Sequence, residues 1–256
     1  MIQISDANRI RTIQLDRPEA KNAMNEVMWD AATEALIDAA DNPSVAVVVF
    51  TGSGDSFSAG ADLMEMALGN AGKLERGKHG FNGFTDQLVA FPKPFICAVN
   101  GLGLGFGVTV LGYADLAFMA TTARLKCPFT SLGVAPELGS SFLFPRLLGR
   151  QNAAWALLSS EWLTAEQCHA MGLVFQVCEP DDLMATTMAH AEVLAAKPIS
   201  SLVESKALIT RPYRDHIADA RNRENAAFSR LLGAPANVEA LQAFAERREP
   251  NFADID

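Results

Sequence analysis

The sequence predicts an α/β fold with a helical C-terminal part, and three features carry that prediction. Short β-type runs recur up to about Phe129, glycine-rich turns follow two of them, and beyond Ser141 the pattern turns mostly helical. At 256 residues the chain is long enough for one large domain, or for a core with a smaller appendage.

The β-type runs are Ile2 to Ser5, Ile10 to Leu15, Val45 to Thr51, Phe95 to Asn100 and Leu116 to Ala120, separated by helical or irregular segments. Between the second and third lies a helix, Asn25 to Ala40. It carries Met28, Ala32, Leu36 and Ala39 on one face and Glu26, Asp30, Glu34 and Asp38 elsewhere, so that face belongs to the core, and Pro43 ends the helix. The segment Met66 to Asp86, with Gly69, Gly72, Gly77, Gly80 and Gly83, has the composition of a loop. Leu173 to Val177 reads as a last short strand. The helices Asp182 to Ala196, Ile199 to Ile209, Asp215 to Leu232 and Asn237 to Arg248 follow, broken by Pro198, Pro212 and Pro235. Leu183, Ala189, Val193 and Ala196 give the first of these an apolar side, and Leu202, Leu208 and Ile209 do so for the second. Surplus apolar surface of this kind can bury in an oligomer contact. No low-complexity linker or internal repeat shows in the residues.

Composition narrows the function. With 49% hydrophobic and 20% charged residues the chain reads as soluble and globular, and a net charge of -9 without basic runs argues against nucleic acid or an anionic membrane as partner. Cys97, Cys127, Cys168 and Cys178 form no CxxC pair, which suits reduced structural thiols in a reducing cytoplasm. His79, His169, His190 and His216 are scattered without metal-ligand spacing. No basic leader with an apolar stretch opens the chain and no run approaches the ~20 apolar residues of a spanning helix, so the expected location is cytoplasmic.

Three turns hold the candidate chemistry. The stretch Thr130 to Phe142 contains one carboxylate, Glu137, in uncharged surroundings just before an apparent helix start. Burial would raise its pKa from about 4.3 toward the range where a general base or acid works best at neutral pH. The plainer alternative is an exposed loop carboxylate, or one favoured by the helix dipole. The second turn, Phe57 to Glu65, follows the strand Val45 to Thr51; Asp62 and Glu65 have capping-box spacing, and small residues with their amides face outward. The third, Asn100 to Val108, opens an apolar helix whose free N–H groups favour an anion. It is not a dinucleotide fingerprint, because Phe106 and Val108 stand where a third glycine is needed, and no Gly-Lys-Ser or Gly-Lys-Thr makes a phosphate loop.

In combination, Ser58-Ala59-Gly60-Ala61-Asp62, Asn100-Gly101 leading into the glycine turn, and Leu132-Gly133 with Pro136 resemble the crotonase (enoyl-CoA hydratase/isomerase) superfamily. The resemblance runs from Arg17-Pro18 and Asn22-Ala23, through Ala165 and Gly172-Leu173-Val174, to Ala243-Phe244, Arg247-Arg248 and Pro250-Asn251-Phe252. It implies a crotonase-like ββα spiral core over residues 1–198 and a C-terminal helical trimerisation layer over 199–256, with homo-trimers often paired into hexamers. It also implies an acyl-CoA thioester as substrate, with coenzyme A part of that substrate and no separate cofactor. By motif position, the backbone N–H groups of Ala61 and Phe106 would hold the thioester oxygen as negative charge develops.

The chain departs from the hydratases of this superfamily. They resemble it but carry one glutamate in the helix after the glycine turn and another about twenty residues later; Thr109 and Phe129 occupy the matching positions, and neither is an acid or base at neutral pH. Pro128, Phe129, Leu132, Gly133, Pro136, Glu137, Ser140 and Ser141 instead match the stretch around the single catalytic glutamate of peroxisomal-type 3-enoyl-CoA isomerases. The resemblance thus implies an isomerase in which Glu137 takes a proton from C2 and returns it at C4. A hydratase with an unplaced second acid and a non-catalytic acyl-CoA binder are the alternatives. For the substrate, the expected contacts are Lys21 (with Arg17 and Lys126 as further bases for the CoA phosphates), Ala59, Gly60, Asp62, Leu63, Phe129 and Leu138. Phe106, Phe129 and Leu138 would wall the pocket, and Met66 to Asp86 would cover the acyl chain.

Overall fold

Two strands buried at every position, β3 (Val47–Gly52) and β5 (Phe95–Val99), set the layering, because a sheet with such strands must be covered on both faces. The computed structural model describes residues 1–70, 72–253 and 255. The chain opens with β1 (Ile2–Ala7) and β2 (Ile10–Leu15), an antiparallel hairpin whose two turn residues, Asn8 and Arg9, both take positive φ as the tight primed turn requires. Helix α1 (Glu26–Asp41) follows, capped by the Asn25 side chain on the Met28 N–H, and buries Met28, Ala32, Leu36 and Ala39 as its periodicity predicts. Beyond β3 come β4 (Ser56–Ser58), α2 (Leu63–Asn70), α3 (Gly80–Ala90), β5, β6 (Leu102–Leu104), α4 (Phe106–Thr109), β7 (Leu116–Ala120) and β8 (Arg124–Lys126). The rest is α5 (Ser140–Leu148), α6 (Arg150–Leu158), β9 (Leu163–Thr164), α7 (Ala165–Ala170), β10 (Gln176–Cys178) and the helices α8 (Leu183–Ala195), α9 (Ile199–Thr210), α10 (Arg214–Leu231) and α11 (Pro235–Glu246).

The strands form two sheets, one ordered β1-β2-β3-β5-β7-β10 and the other β4-β6-β8-β9. Three times in succession the chain lays one strand in the large sheet and the next in the small one: β3 then β4, β5 then β6, β7 then β8. That alternation is the turn of a spiral. Its parallel pairings, β3 on β5, β5 on β7, β4 on β6 and β6 on β8, require the intervening helices as crossovers. The residues themselves show no repeat because the connecting segments differ in length and the strands of the small sheet are only two or three residues long.

The short strands Ser56–Ser58 and Leu102–Leu104 carry no legible alternation in three residues, and Phe57–Ser58 and 102–104 read in sequence as parts of turns. Three other expectations are corrected. The last strand is Gln176–Cys178, with Leu173 and Val174 buried in the turn before it. The presumed loop Met66 to Asp86 holds the end of α2 and the start of α3. In α8 the buried line is Leu183, Thr187, Ala191 and Ala195, while Ala189, Val193 and Ala196 are exposed. The Thr187 hydroxyl donates to the Leu183 carbonyl at 2.8 Å, so a polar residue sits in the core seam and conceals it from an apolar pattern.

Candidate active site

Carboxylates from α1 and α2 lock one corner of the spiral. Asp30 accepts the backbone N–H groups of Lys78, His79 and Gly80 at 2.7 to 2.9 Å and so caps α3. Burial opposes its ionisation, but the three donors outweigh it and hold its pKa below the usual carboxylate range. Glu26 accepts the Gly77 N–H and lies 3.6 Å from the Arg76 guanidinium. These bonds draw segment 76–80 onto α1, over a cavity of about 250 Å³. Apolar side chains of Met24, Trp29, Met66, Leu74, Phe81, Phe228 and Leu232 line it, together with the polar Glu26, Asp62, Glu65, Arg76, Asn82, Glu137 and Asn225.

The first glycine turn runs along one wall. Ala61 forms a parallel bridge with Met24, in which the Met24 N–H donates to the Gly60 carbonyl and the Asp62 N–H donates to the Met24 carbonyl. In extended backbone the groups of the residue between face the other way, and the Ala61 N–H has no acceptor among the described residues. Phe106, first residue of α4, likewise keeps a free N–H among the described residues, as a helix start without a side-chain cap must. The two turns meet here: a Cβ added to Gly60, whose φ is +91°, would stand 2.9 Å from the Leu104 carbonyl and 3.7 Å from the Phe106 nitrogen. Only glycine fits that approach, and Gly105 at φ 50°, ψ -111° supplies the second unusual backbone step. The Phe106 ring turns away into the core, edge-on to Trp29 at 4.7 Å and to Phe84 at 5.6 Å, so its bulk does not obstruct its own amide.

Asp62 and Glu65 do not form the expected capping box. Asp62 accepts from the Met64 and Glu65 N–H groups and pairs with Arg17 at 2.6 Å, whereas Glu65 reaches across to the Glu26 N–H at 2.7 Å and caps α1. Burial pushes the Asp62 pKa up, but Arg17 and the two amides overcome it and leave it lowered.

Glu137 differs from all of these. It is half-buried in the cavity wall, and among the described residues its carboxyl accepts no hydrogen bond and pairs with no cation. Burial, with the neighbouring Glu224 carboxylate second, pushes its pKa from 4.5 up to about 7. Sequence reading missed Glu224 as a site residue. It lies within a polar helix, it is 5% exposed, and its carboxylate accepts the N–H groups of Gly139 and Ser141 at 2.6 and 2.8 Å. No local pattern announces a partnership across 85 residues.

Of the other expected contacts, Ala61, Asp62 and Glu137 line the cavity, and Ala59 and Gly60 lie in the turn beneath it, with the Ala59 N–H spent on the Lys21 carbonyl. Phe129 and Leu138 are corrected: they are buried and do not line the cavity, and with Phe106 they are core rather than its wall. The wall is Trp29, Phe81 and Phe228, brought in by α1, α3 and α10. Leu63 lines a smaller neighbouring cleft with Leu132 and Leu241. Lys21 is exposed and pairs with Asp55 at 3.2 Å, Arg17 is committed to Asp62, and Lys126 lies over the Trp162 ring. Thr109 is buried with its hydroxyl on the Gly105 carbonyl. Among the described residues no cluster of His, Cys, Asp or Glu could hold a metal ion, and no helix is long and apolar enough to cross a membrane.

Comparison with known proteins identifies relatives along nearly the whole chain. Residues 5–255 match the family model described as enoyl-CoA hydratase/isomerase. A crystal structure of an enoyl-CoA hydratase from Mycobacterium marinum is 59% identical, with a TM-score of 0.79 over 82% of this chain and 99% of that one. The 1,2-epoxyphenylacetyl-CoA isomerase of Escherichia coli strain K12 is 32% identical over 95% of this chain and 94% of its own. Enoyl-CoA delta isomerase 2 of Rattus norvegicus is 30% identical over 96% of this chain and 64% of its own length.

The raised pKa of Glu137 predicts its effect on stability. The folded chain holds a proton that the unfolded chain releases between pH 4.5 and about 7, so the group costs stability as pH rises through that window and the cost is complete above it. Glu137→Gln should therefore be more stable than the parent by about 3 kcal/mol at pH 8, with the gap closing toward pH 4.5. Urea unfolding at the two pH values measures this, and equal stability at pH 8 would show that the carboxyl is not desolvated.

Proposed function

The chain belongs to the enoyl-CoA hydratase/isomerase (crotonase) superfamily, and within it we propose that the protein is a 3-enoyl-CoA to 2-enoyl-CoA isomerase with Glu137 as its single acid–base group. The observation that carries this reading is the accounting of carboxylates around the cavity. Glu26 is held by Arg76 and the Gly77 N–H, Asp62 by Arg17 and the start of α2, and Glu65 by the start of α1. Glu137 alone among the four has no partner in the described residues, so it alone is free to take and give a proton.

One such group suffices for double-bond migration. With the thioester oxygen on the Ala61 and Phe106 N–H groups, the Glu137 carboxylate takes a proton from C2, the C2 electron pair delocalises through the thioester and the 3,4 double bond, and the oxygen carries the negative charge. The same carboxyl then returns the proton to C4, leaving the double bond between C2 and C3. Preorganised amides favour this intermediate without reorganising, and each such donor contributes about 2.7 to 4 kcal/mol of barrier lowering. A pKa near 7 suits both halves of the cycle, since the base must be ionised to begin and must release its proton to finish. The apolar side chains of Trp29, Phe81 and Phe228 limit water at the reacting carbons. A pure acyl-CoA binder has no use for a desolvated, unpartnered acid in this position.

Hydration is the second reading, favoured by the name of the Mycobacterium marinum relative. It requires a second acid–base group, and the other cavity carboxylates are committed to cations or helix starts. The proposal extends to assembly: α9 has no buried residue in the single chain, and Leu208 and Ile209 are 78% and 68% exposed, a surface suited to a trimer contact.

Glu137→Gln should lower turnover of 3-hexenoyl-CoA at least about a hundredfold, the low end of general base catalysis, while acyl-CoA affinity stays nearly unchanged. Undiminished turnover would remove the reading, and robust hydration of crotonyl-CoA by the parent without double-bond migration would replace it with the second. Sedimentation at micromolar concentration should give three or six times the chain mass; a monomer would refute the assembly.

A further inference from the structure

The turn that presents Glu137 is built to withhold hydrogen-bond donors from it. Leu138 and Gly139 take successive positive φ values of 61° and 70°, reversing the chain between Glu137 and α5. The Glu137 carbonyl accepts both the N–H and the hydroxyl of Ser140, at 3.1 and 2.7 Å, and the Leu138 carbonyl accepts the Tyr113 hydroxyl at 2.8 Å. The backbone on either side of the base is therefore fixed. What this turn lacks is a cap of its own, because Gly139 at the N-cap position has no side chain. A helix start with free N–H groups attracts the nearest carboxylate and stabilises its charge, and Glu137 stands two residues before Gly139.

We propose that Glu224 is a positioning residue for Glu137: by taking the Gly139 and Ser141 N–H groups it keeps the α5 start from capturing the Glu137 carboxylate and sets a second negative charge beside it. The inference rests on the reading of Glu137 as the acid–base group and assigns a cause to its unpartnered state. Glu224 comes from α10, whose Phe228 and Asn225 also line the cavity, so one helix supplies both the wall and the charge. Other charged groups nearby are spent. Arg221, one turn earlier on α10, pairs with Asp86 of α3 at 2.8 Å, and Arg146 at the end of α5 lies over the Tyr213 ring. Burial pushes up the pKa values of the Tyr113 phenol and the Cys127 thiol, so both are neutral. Across the cavity Glu26, Asp62 and Glu65 are held as described, and the Arg76 guanidinium lies against Glu26. That leaves Glu224 as the charge acting on Glu137, and its effect is second only to burial.

The test compares Glu224→Gln and Glu224→Asp with the parent by two readouts, the pH dependence of kcat/KM for 3-hexenoyl-CoA and the titration of carboxyl-labelled glutamate by carbon-13 NMR, with the Glu137 signal identified by its loss in Glu137→Gln. In Glu224→Gln the charge is gone, so the Glu137 titration and the acidic limb of the profile should both move to lower pH by about one unit or more. Glu224→Asp keeps the charge but withdraws from the N–H groups, so the freed α5 start should draw in the Glu137 carboxylate and lower both its titration and kcat. A folded Glu224→Gln protein whose Glu137 titrates as in the parent, or higher, overturns the proposal. If Glu224→Gln does not fold, Glu224→Asp decides: a Glu137 that titrates as in the parent contradicts the withholding of the N–H groups. The titration needs no turnover, so a shifted Glu137 in a protein without isomerase activity would sink the functional reading and leave the role of Glu224 standing.

Discussion

Setting a carboxyl group in a cavity wall, where protein displaces much of its water, while denying it a donor is the constraint on which the site depends. Left alone, a glutamate beside a helix start would either reach water or bind the free amides, and in both cases it would be a permanent anion of little use as a base near neutral pH. The fold limits the first outcome and prevents the second with contacts from distant segments. Tyr113 and Ser140 pin the carbonyls at and after Glu137, Glu224 satisfies the N–H groups of Gly139 and Ser141, and Phe228 closes the cavity from the same helix. The C-terminal helices are thus part of the site as well as a layer over it.

The same economy holds around the cavity, where charged groups are numerous yet only Glu137 is uncommitted among the described residues. Glu26, Asp30, Asp62 and Glu65 each serve as caps or ion-pair partners that hold α1, α2 and α3 together, and this is what lets segment 76–80 lie over the cavity. Ionisation of Glu137 is opposed by the folded state, so part of the stability gained by those caps and by the aromatic core of Trp29, Phe84 and Phe106 offsets a group kept out of its preferred solvent.

Much of this could be read from the residues, and the limits have physical reasons. The all-buried strands β3 and β5 and the one-sided α1 announced themselves through apolar runs and period, because burial on two faces or on one leaves a direct imprint on composition. Glu137 stood out because no other charge lies near it in sequence. The strands of the small sheet were invisible, since two or three residues impose no period, and the glycines at 60 and 105 record a close crossing without saying what is crossed. Position in sequence points to Phe129 and Leu138 as cavity wall near Glu137, but those two turn inward, and the wall arrives from α1, α3 and α10. Glu224 was illegible for the same reason, its meaning residing entirely in a contact 85 residues away.

The proposed single base makes a claim about one hydrogen atom, and isotopic labelling follows that atom. With 3-hexenoyl-CoA deuterated at C2 and ordinary water as solvent, the 2-hexenoyl-CoA formed should carry deuterium at C4 in a measurable share of its molecules, because the proton that Glu137 removes is returned before it exchanges. Product whose C4 hydrogen comes wholly from solvent, or 3-hydroxyhexanoyl-CoA in its place, would contradict the account.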